Sequence, residues 1–243
     1  MHYENDCDTI FQRGTICGIV TENYVNISNT GGIFMKNVIL IGDSIRLGYQ
    51  GYVQELLGPN VKVFGPAENC RYSKFVLWGM FSWMGEFGYP KVDALHFNAG
   101  IWDLHRCTAD GEIFTEIGEY AENMRRLGIQ MQSYTKNVIF GNSIPGNSAL
   151  DDSYSTFNPL INTDPGYMQV HLTVGKDEWN SDIARYNAAA AAEMDKLGIP
   201  VNDLYSLIIA DPEKYICGDG VHPTDEGYRM LAKQVAEKIE ALL

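Results

Sequence analysis

Short apolar runs bounded by turn residues recur along this chain, and longer amphipathic or alanine-rich stretches separate them. Asn37-Val38-Ile39-Leu40-Ile41 is such a run and stops at Gly42-Asp43-Ser44. A brief apolar segment closed by a tight glycine turn reads as a buried parallel strand. The same pattern predicts strands at 37–41, 61–64, 93–98, 137–141 and 199–202. Helices are predicted at 48–57, 72–85, 112–132 and 180–197, with a last one from about Thr224 to Leu243. The run Ala188 to Ala192 strongly favours helix. Gly198 fits a C-cap before the strand at Ile199, and Thr224 fits an N-cap. Alternating strands and helices point to a parallel sheet with helices on both faces.

Two segments break the alternation. Residues 1–34 include a polar, turn-rich stretch from Asn26 to Gly32 and read as an N-terminal appendage, with one edge strand within Thr15 to Val25. The rest, 35–243, reads as one α/β domain. Asn142 to Lys176 is long, polar and rich in turn formers such as Pro145-Gly146 and Asp164-Pro165-Gly166. Such excursions are usually functional or mobile, and this one follows a strand end, so it is expected over the sheet edge that carries Ser44. It reads as a lid or substrate wall.

Composition narrows the function classes. Lys and Arg number 18 against 31 Asp and Glu, a net charge of −13, which argues against nucleic acid and anionic membrane as partners. The five cysteines, Cys7, Cys17, Cys70, Cys107 and Cys217, show no CxxC spacing. They suggest reduced thiols in a cytoplasmic protein rather than a disulfide framework or zinc site. The five histidines are scattered without metal-ligand spacing, so no metal is expected. No apolar stretch approaches the roughly 18–20 residues of a membrane span. The N-terminus, with Glu4, Asp6 and Asp8, does not read as a signal peptide.

Ser44 would stand at the carboxyl edge of the sheet, where open α/β folds place their chemistry. A serine hydroxyl needs a base to become a nucleophile, and the base needs an orienting carboxylate. Asp219-Gly220-Val221-His222 offers both from one loop, with Pro223 stiffening the backbone beside His222. Each motif alone is common; their order and placement give them weight.

In that arrangement the chain resembles the SGNH (GDSL-type) hydrolases over about residues 35–243. The matching blocks are Ile41-Gly42-Asp43-Ser44 and Asp219-Gly220-Val221-His222-Pro223-Thr224, with Gly227-Tyr228 and Leu231-Ala232 following. The resemblance implies a three-layer α/β/α, flavodoxin-like fold with a parallel sheet of about five strands. It implies a triad of Ser44, His222 and Asp219 that needs no cofactor. The serine is not in a Gly-x-Ser-x-Gly elbow, which disfavours the α/β-hydrolase fold. The third block, His96-Phe97-Asn98-Ala99-Gly100-Ile101-Trp102-Asp103, departs from the family by placing Trp102 where an asparagine is usual. It resembles the Asn-x-Gly-x-Trp arrangement of the PC-esterase branch, in which Asn98 would supply the amide of the oxyanion hole, beside the Ser44 N–H. For the remaining N–H, Gly65 and Cys70 are alternatives. Asp43, Asn69, Arg71, Gly100 and Trp102 are candidate substrate contacts; Arg71 reads more readily as a salt-bridge partner of Glu68. His96 reads as packed in the sheet, His105 and His171 as peripheral, and Trp78, Phe81 and Trp83 as a helix packing face.

The function implied is a serine esterase acting on short acyl esters, acetyl above all, on a small-molecule or oligosaccharide substrate. Alternatives are an acyltransferase, a lysophospholipase or thioesterase of the same fold, or a non-catalytic glycan- or ester-binding module.

Overall fold

The protein's structure, a computed structural model, describes residues 35–106, 110–150 and 175–243. The N-terminal segment 1–34, most of the turn-rich excursion with His171, and Cys7, Cys17 and Cys107 lie outside the described residues. In sequence order the elements are β1 (Lys36–Ile41), α1 (Ser44–Leu57), β2 (Val61–Phe64), α2 (Ser73–Glu86) and β3 (Ala94–Phe97). A 3-10 turn (Ile101–Leu104), α3 (Ile117–Gln132) and β4 (Val138–Gly141) follow. After a second short 3-10 turn (Ser148–Leu150) come α4 (Lys176–Leu197), β5 (Val201–Asn202), α5 (Leu204–Ile209), α6 (Pro212–Tyr215) and α7 (Asp225–Glu240).

The five strands pair in the order β2-β1-β3-β4-β5, and every pairing is parallel. Val38 lies opposite Ala94, Leu95 opposite Val138 and Phe140 opposite Val201. This is the flavodoxin-like order, and it puts the topological switch point between β1 and β3. The apolar runs are the middle of the core: Val38, Ile39, Leu40 and Ile41 are all fully buried, as are Ala94, Leu95, Phe97 and Phe140. Strands covered on both faces require continuous rather than alternating hydrophobicity. On one side α1 packs against α7; on the other α3 lies between α2 and α4.

Most expected elements are present, with three informative differences. α1 begins at Ser44 rather than 48, because the Asp43 carboxylate caps it by accepting from the Ile45 N–H at 2.9 Å. α3 begins at Ile117 rather than 112, because the preceding residues pair elsewhere. Arg106 bridges Ile113, Phe114 N–H donates to the His105 carbonyl at 2.6 Å, and Thr115 N–H donates to the Asp103 carbonyl at 3.0 Å. Glu116 then caps the helix by accepting from Gly118 and Glu119. The third difference is in α2: Trp83 is 1% exposed, but Trp78 and Phe81 are 72% and 74% exposed. The three do not form one packing face, since five residues of helix carry Trp83 well round the axis from Trp78, while Trp78 and Phe81 share the outer side. Elsewhere the expectation holds: Gly198 closes α4 in the left-handed conformation at φ 67°, with Ile199 N–H donating to the Met194 carbonyl at 2.9 Å. Among the described residues, no helix is long and apolar enough to cross a membrane.

The α1–α7 contact depends on one missing side chain. A Cβ built on Gly48 would lie 2.2 Å from the ring of Tyr228 on α7. Gly48→Ala is therefore expected to force the helices apart and lower stability by about 1–3 kcal/mol, read as a lower urea midpoint. An unchanged midpoint would mean that the ring moves aside freely.

Candidate active site

The carboxyl ends of β1 and β3 and the loop before α7 meet at the switch point. Ser44 is the first residue of α1, half-buried, with its own N–H at the positive end of a 14-residue helix. Its Oγ lies 2.9 Å from His222 Nε2. His222 Nδ1 lies 2.6 Å from Asp219 Oδ2. The loop that presents this pair is a tight hairpin closed by a bridge between Ile216 and Pro223. Within it Cys217 N–H donates to the His222 carbonyl at 2.8 Å, and Gly220 N–H donates to the Cys217 carbonyl at 2.9 Å. Asp219 Oδ1 accepts from the Val221 and His222 N–H groups at 2.9 and 2.8 Å. The hairpin leads directly into Thr224, which caps α7 by accepting from Gly227 N–H.

The electrostatics follow from that geometry. Burial pushes the Asp219 carboxyl up, but the imidazole and the two backbone donors outweigh it and hold it down at about 2. Burial pulls His222 down; the hydrogen bond and charge of Asp219, with the charge of Asp43, outweigh it and leave the imidazole above its ordinary value.

The other residues singled out in the sequence fall into different places. Asn98 N–H donates to the Ile41 carbonyl at 2.9 Å, and its side-chain amide donates to the Gly141 carbonyl at 2.8 Å. It ties three strand ends together and keeps one amide proton for another acceptor. Cys70 does not offer a donor: it is fully buried and its N–H is engaged by the Gly42 carbonyl at 3.2 Å. Gly65 lies beside Gln50, whose Oε1 would be 2.1 Å from a Cβ there. A side chain at Gly65 would displace Gln50, so close packing requires a glycine there.

Two of the candidate substrate contacts, Asp43 and Gly100, are buried, and the expected pairing of Arg71 with Glu68 is not made. Asp43 is 2% exposed and caps α1 instead of facing a ligand. Gly100 is buried at φ 156°, where a Cβ would meet Ser143 Oγ at 2.6 Å; it is a conformational requirement of the turn. Arg71 does not pair with Glu68: its guanidinium lies over the Phe75 ring, 5.0 Å from the centroid, while Glu68 accepts from the Trp83 indole N–H at 3.0 Å. Asn69 Oδ1 accepts from the Arg71 N–H at 2.8 Å, which fixes the turn. Trp102 is half-exposed, with its ring centroid 4.7 Å from that of buried His105. His96 packs in the sheet as expected. It is fully buried, lies 3.2 Å from the Asn202 amide, and burial pulls its pKa down to about 3.

Sequence reasoning missed three residues. Arg46, 1% exposed, donates to the carbonyls of Gly42, Pro66 and Glu68 and to Gln50 Oε1. It stands in register with buried Tyr49 and Val53 at helical spacing, the one available signal that a charge points inward. Asp103 is fully buried and accepts from Ser73 N–H at 2.9 Å and Ser73 Oγ at 2.6 Å; burial pushes its carboxyl up to about 6 against those bonds. Ser73 Oγ also accepts from Asn123 on α3 at 3.1 Å, so the third block is tied to two helices. Cys217 Sγ lies 3.2 Å from Asp219 Oδ1. The start of the excursion after β4 packs where expected: Asn147 N–H donates to the Gly220 carbonyl at 2.9 Å, against the hairpin that holds His222.

Comparison with known proteins fits this architecture. A family model described as GDSL-like lipase/acylhydrolase matches residues 93–235, which include Asp219 and His222 and begin beyond Ser44. A multidomain esterase of Ruminococcus flavefaciens is 26% identical over 234 residues; the match covers 85% of this chain and 28% of that protein's length. Among solved structures, a lipase/acylhydrolase from Enterococcus faecalis superposes with a TM-score of 0.64 at 17% identity, covering 85% of this chain and 96% of that one. The acetylxylan esterase Axe2 from Geobacillus stearothermophilus superposes with a TM-score of 0.59 at 17% identity, covering 84% and 94%. Likeness at these identities is likeness of fold. The family match spans more than half of the sequence: the chain belongs to the GDSL-like lipase/acylhydrolase family and has a carboxylic ester hydrolase domain.

Proposed function

We propose that this domain is a serine esterase that removes short acyl groups, acetyl above all, from carbohydrate esters, with Ser44 as nucleophile, His222 as base and Asp219 as orienting carboxylate. The observation that carries it is the unbroken relay from Ser44 Oγ through His222 to Asp219, at 2.9 and 2.6 Å. His222 Nε2 takes the hydroxyl proton as Oγ attacks the acyl carbonyl, then returns it to the departing alcohol. Water, activated by the same nitrogen, releases the acid from the acyl-serine. The negative oxygen formed on attack is met by the Ser44 N–H at the head of α1 and by the remaining amide proton of Asn98. Trp102 offers a half-exposed ring beside the third block for a sugar face to stack upon. The preference for acetylated sugars draws on the acetylxylan esterases among the structural neighbours.

A second reading is a module that keeps the fold and binds without turnover. One observation favours it: the Cys70 amide is engaged by Gly42, so the oxyanion site rests on fewer donors than the sequence suggested. A fluorophosphonate probe separates the two readings. It is expected to label the wild type and not Ser44→Ala, and acetate release from acetylated oligosaccharides is expected to vanish with His222→Ala. A wild type that neither labels nor cleaves any ester in a panel of varied acyl length and alcohol would overturn the esterase reading. Asn98→Ala is expected to lower kcat by about 10²–10³; an unchanged rate would remove it from the oxyanion site.

The pH profile gives an independent check. Only neutral His222 can accept the proton, so kcat/KM rises with pH through the imidazole pKa, which Asp219 and Asp43 hold above its ordinary value against the pull of burial. Asp219→Asn is expected to move that rise to lower pH, because the carboxylate that lifts the pKa is gone, and to lower kcat by about 10⁴. A rise that stays in place in the variant would show that Asp219 does not act on His222.

A further inference from the structure

We propose that Cys217 is a positioning residue for the orienting carboxylate: its thiol donates to Asp219 Oδ1 and so keeps Oδ2 in line with the imidazole of His222. The inference rests on the esterase reading of Ser44, His222 and Asp219. It begins from the way the carboxylate is held. Three donors converge on Oδ1: Val221 N–H at 2.9 Å, His222 N–H at 2.8 Å and Cys217 Sγ at 3.2 Å. With Oδ1 so engaged, Oδ2 is the oxygen left to meet His222 Nδ1, at 2.6 Å. The two backbone donors come from residues that follow Asp219. The thiol adds a third donor, from a residue that precedes Asp219, and so further restricts the carboxylate.

The backbone of Cys217 serves the same loop. Its N–H donates to the carbonyl of His222 and its carbonyl accepts from Gly220. One residue thus touches the carboxylate, the turn and the backbone of His222, at the first position inside the Ile216–Pro223 bridge. Its chemistry suits the task. Burial pushes the thiol pKa up, the Asp219 backbone N–H pulls it down, and the hydrogen bond and charge of the Asp219 carboxylate raise it again; the balance lies above the ordinary thiol value, so the group remains a neutral donor and adds no second anion to the relay. A hydrogen bond to a charged group is of the size that matters for turnover. Asp43, the other anion that acts on His222, lies at the head of α1 and is unchanged by substitution at 217.

The experiment compares wild type, Cys217→Ser, Cys217→Ala and Cys217→Val in the full-length protein. The readouts are kcat and KM for p-nitrophenyl acetate, the pH profile of kcat/KM, and NMR titration of the His222 ring. Cys217→Ser keeps a donor and is expected within about twofold of wild type. Cys217→Ala is expected to lose about tenfold in kcat with KM little changed, and its His222 titration is expected to fall toward an ordinary histidine. Cys217→Val gives the same donor-free test with more of the side-chain volume retained, should the alanine variant fold poorly. The proposal is overturned if both donor-free variants match wild type. It is equally overturned if serine, alanine and valine lose activity alike with the His222 titration unmoved, the mark of packing alone. A wild type without esterase turnover or fluorophosphonate labelling would sink the esterase reading instead, and the His222 titration would still decide whether the thiol orients Asp219.

Discussion

A guanidinium with almost no access to water sets the terms for the rest of this structure. Arg46 is 1% exposed, and removing such a charge from solvent costs several kcal/mol unless its donors are met. Here they are met mainly by neutral oxygens. The Gly42 carbonyl accepts at 3.2 and 3.3 Å, those of Pro66 and Glu68 at 2.8 and 2.9 Å, and Gln50 Oε1 at 2.9 Å. Three of those acceptors belong to backbone with little regular structure of its own. The turn before Ser44 and the loop after β2 are held because any other arrangement would strand a buried charge. Asp43, also buried, supplies opposite charge nearby, so the head of α1 carries its own compensation.

The third block is fixed by the same logic with the sign reversed. Asp103 brings a carboxylate into the interior, where Ser73 meets it with both amide and hydroxyl. Asn123 extends that network into α3, and Tyr120 donates to the Ala99 carbonyl at 2.8 Å from the same helix. The loops at the switch point are therefore anchored from beneath by α1 on one side and by α2 and α3 on the other. Preorganisation of this kind lets a few donors matter at a site that would otherwise be mobile.

What could be read from the sequence divides along physical lines. The buried strands, the alanine-rich helix with its Gly198 cap, and the two motifs carrying Ser44, Asp219 and His222 depend on local pattern, and local pattern is what a sequence displays. The start of α3 at Ile117 depends on Ile113 bridging Arg106 in the third-block loop, a partner that helical periodicity does not reveal. The second-block donor was undecided in the sequence, and what counts against Cys70 is a bond from its N–H to the Gly42 carbonyl, 28 residues earlier. Arg46 and Cys217 were overlooked for a related reason. Arginine on a helix and cysteine in a loop look ordinary until the atoms around them are known. The outward face of Trp78 and Phe81 shows the opposite limit, since a helix rich in apolar residues all round does not announce which side will be covered.

The contact between α1 and α7 also has a consequence for the order in which the protein becomes competent. In synthesis Ser44 precedes His222 by 178 residues, and His222 lies on a hairpin that leads into α7. Under the proposed mechanism, the serine has no base until that helix has been made and has seated Tyr228 over Gly48. On this reading a nascent or truncated polypeptide can fold much of its sheet and still leave every ester intact, and chemical activity becomes a report that the first and last helices of the domain have met.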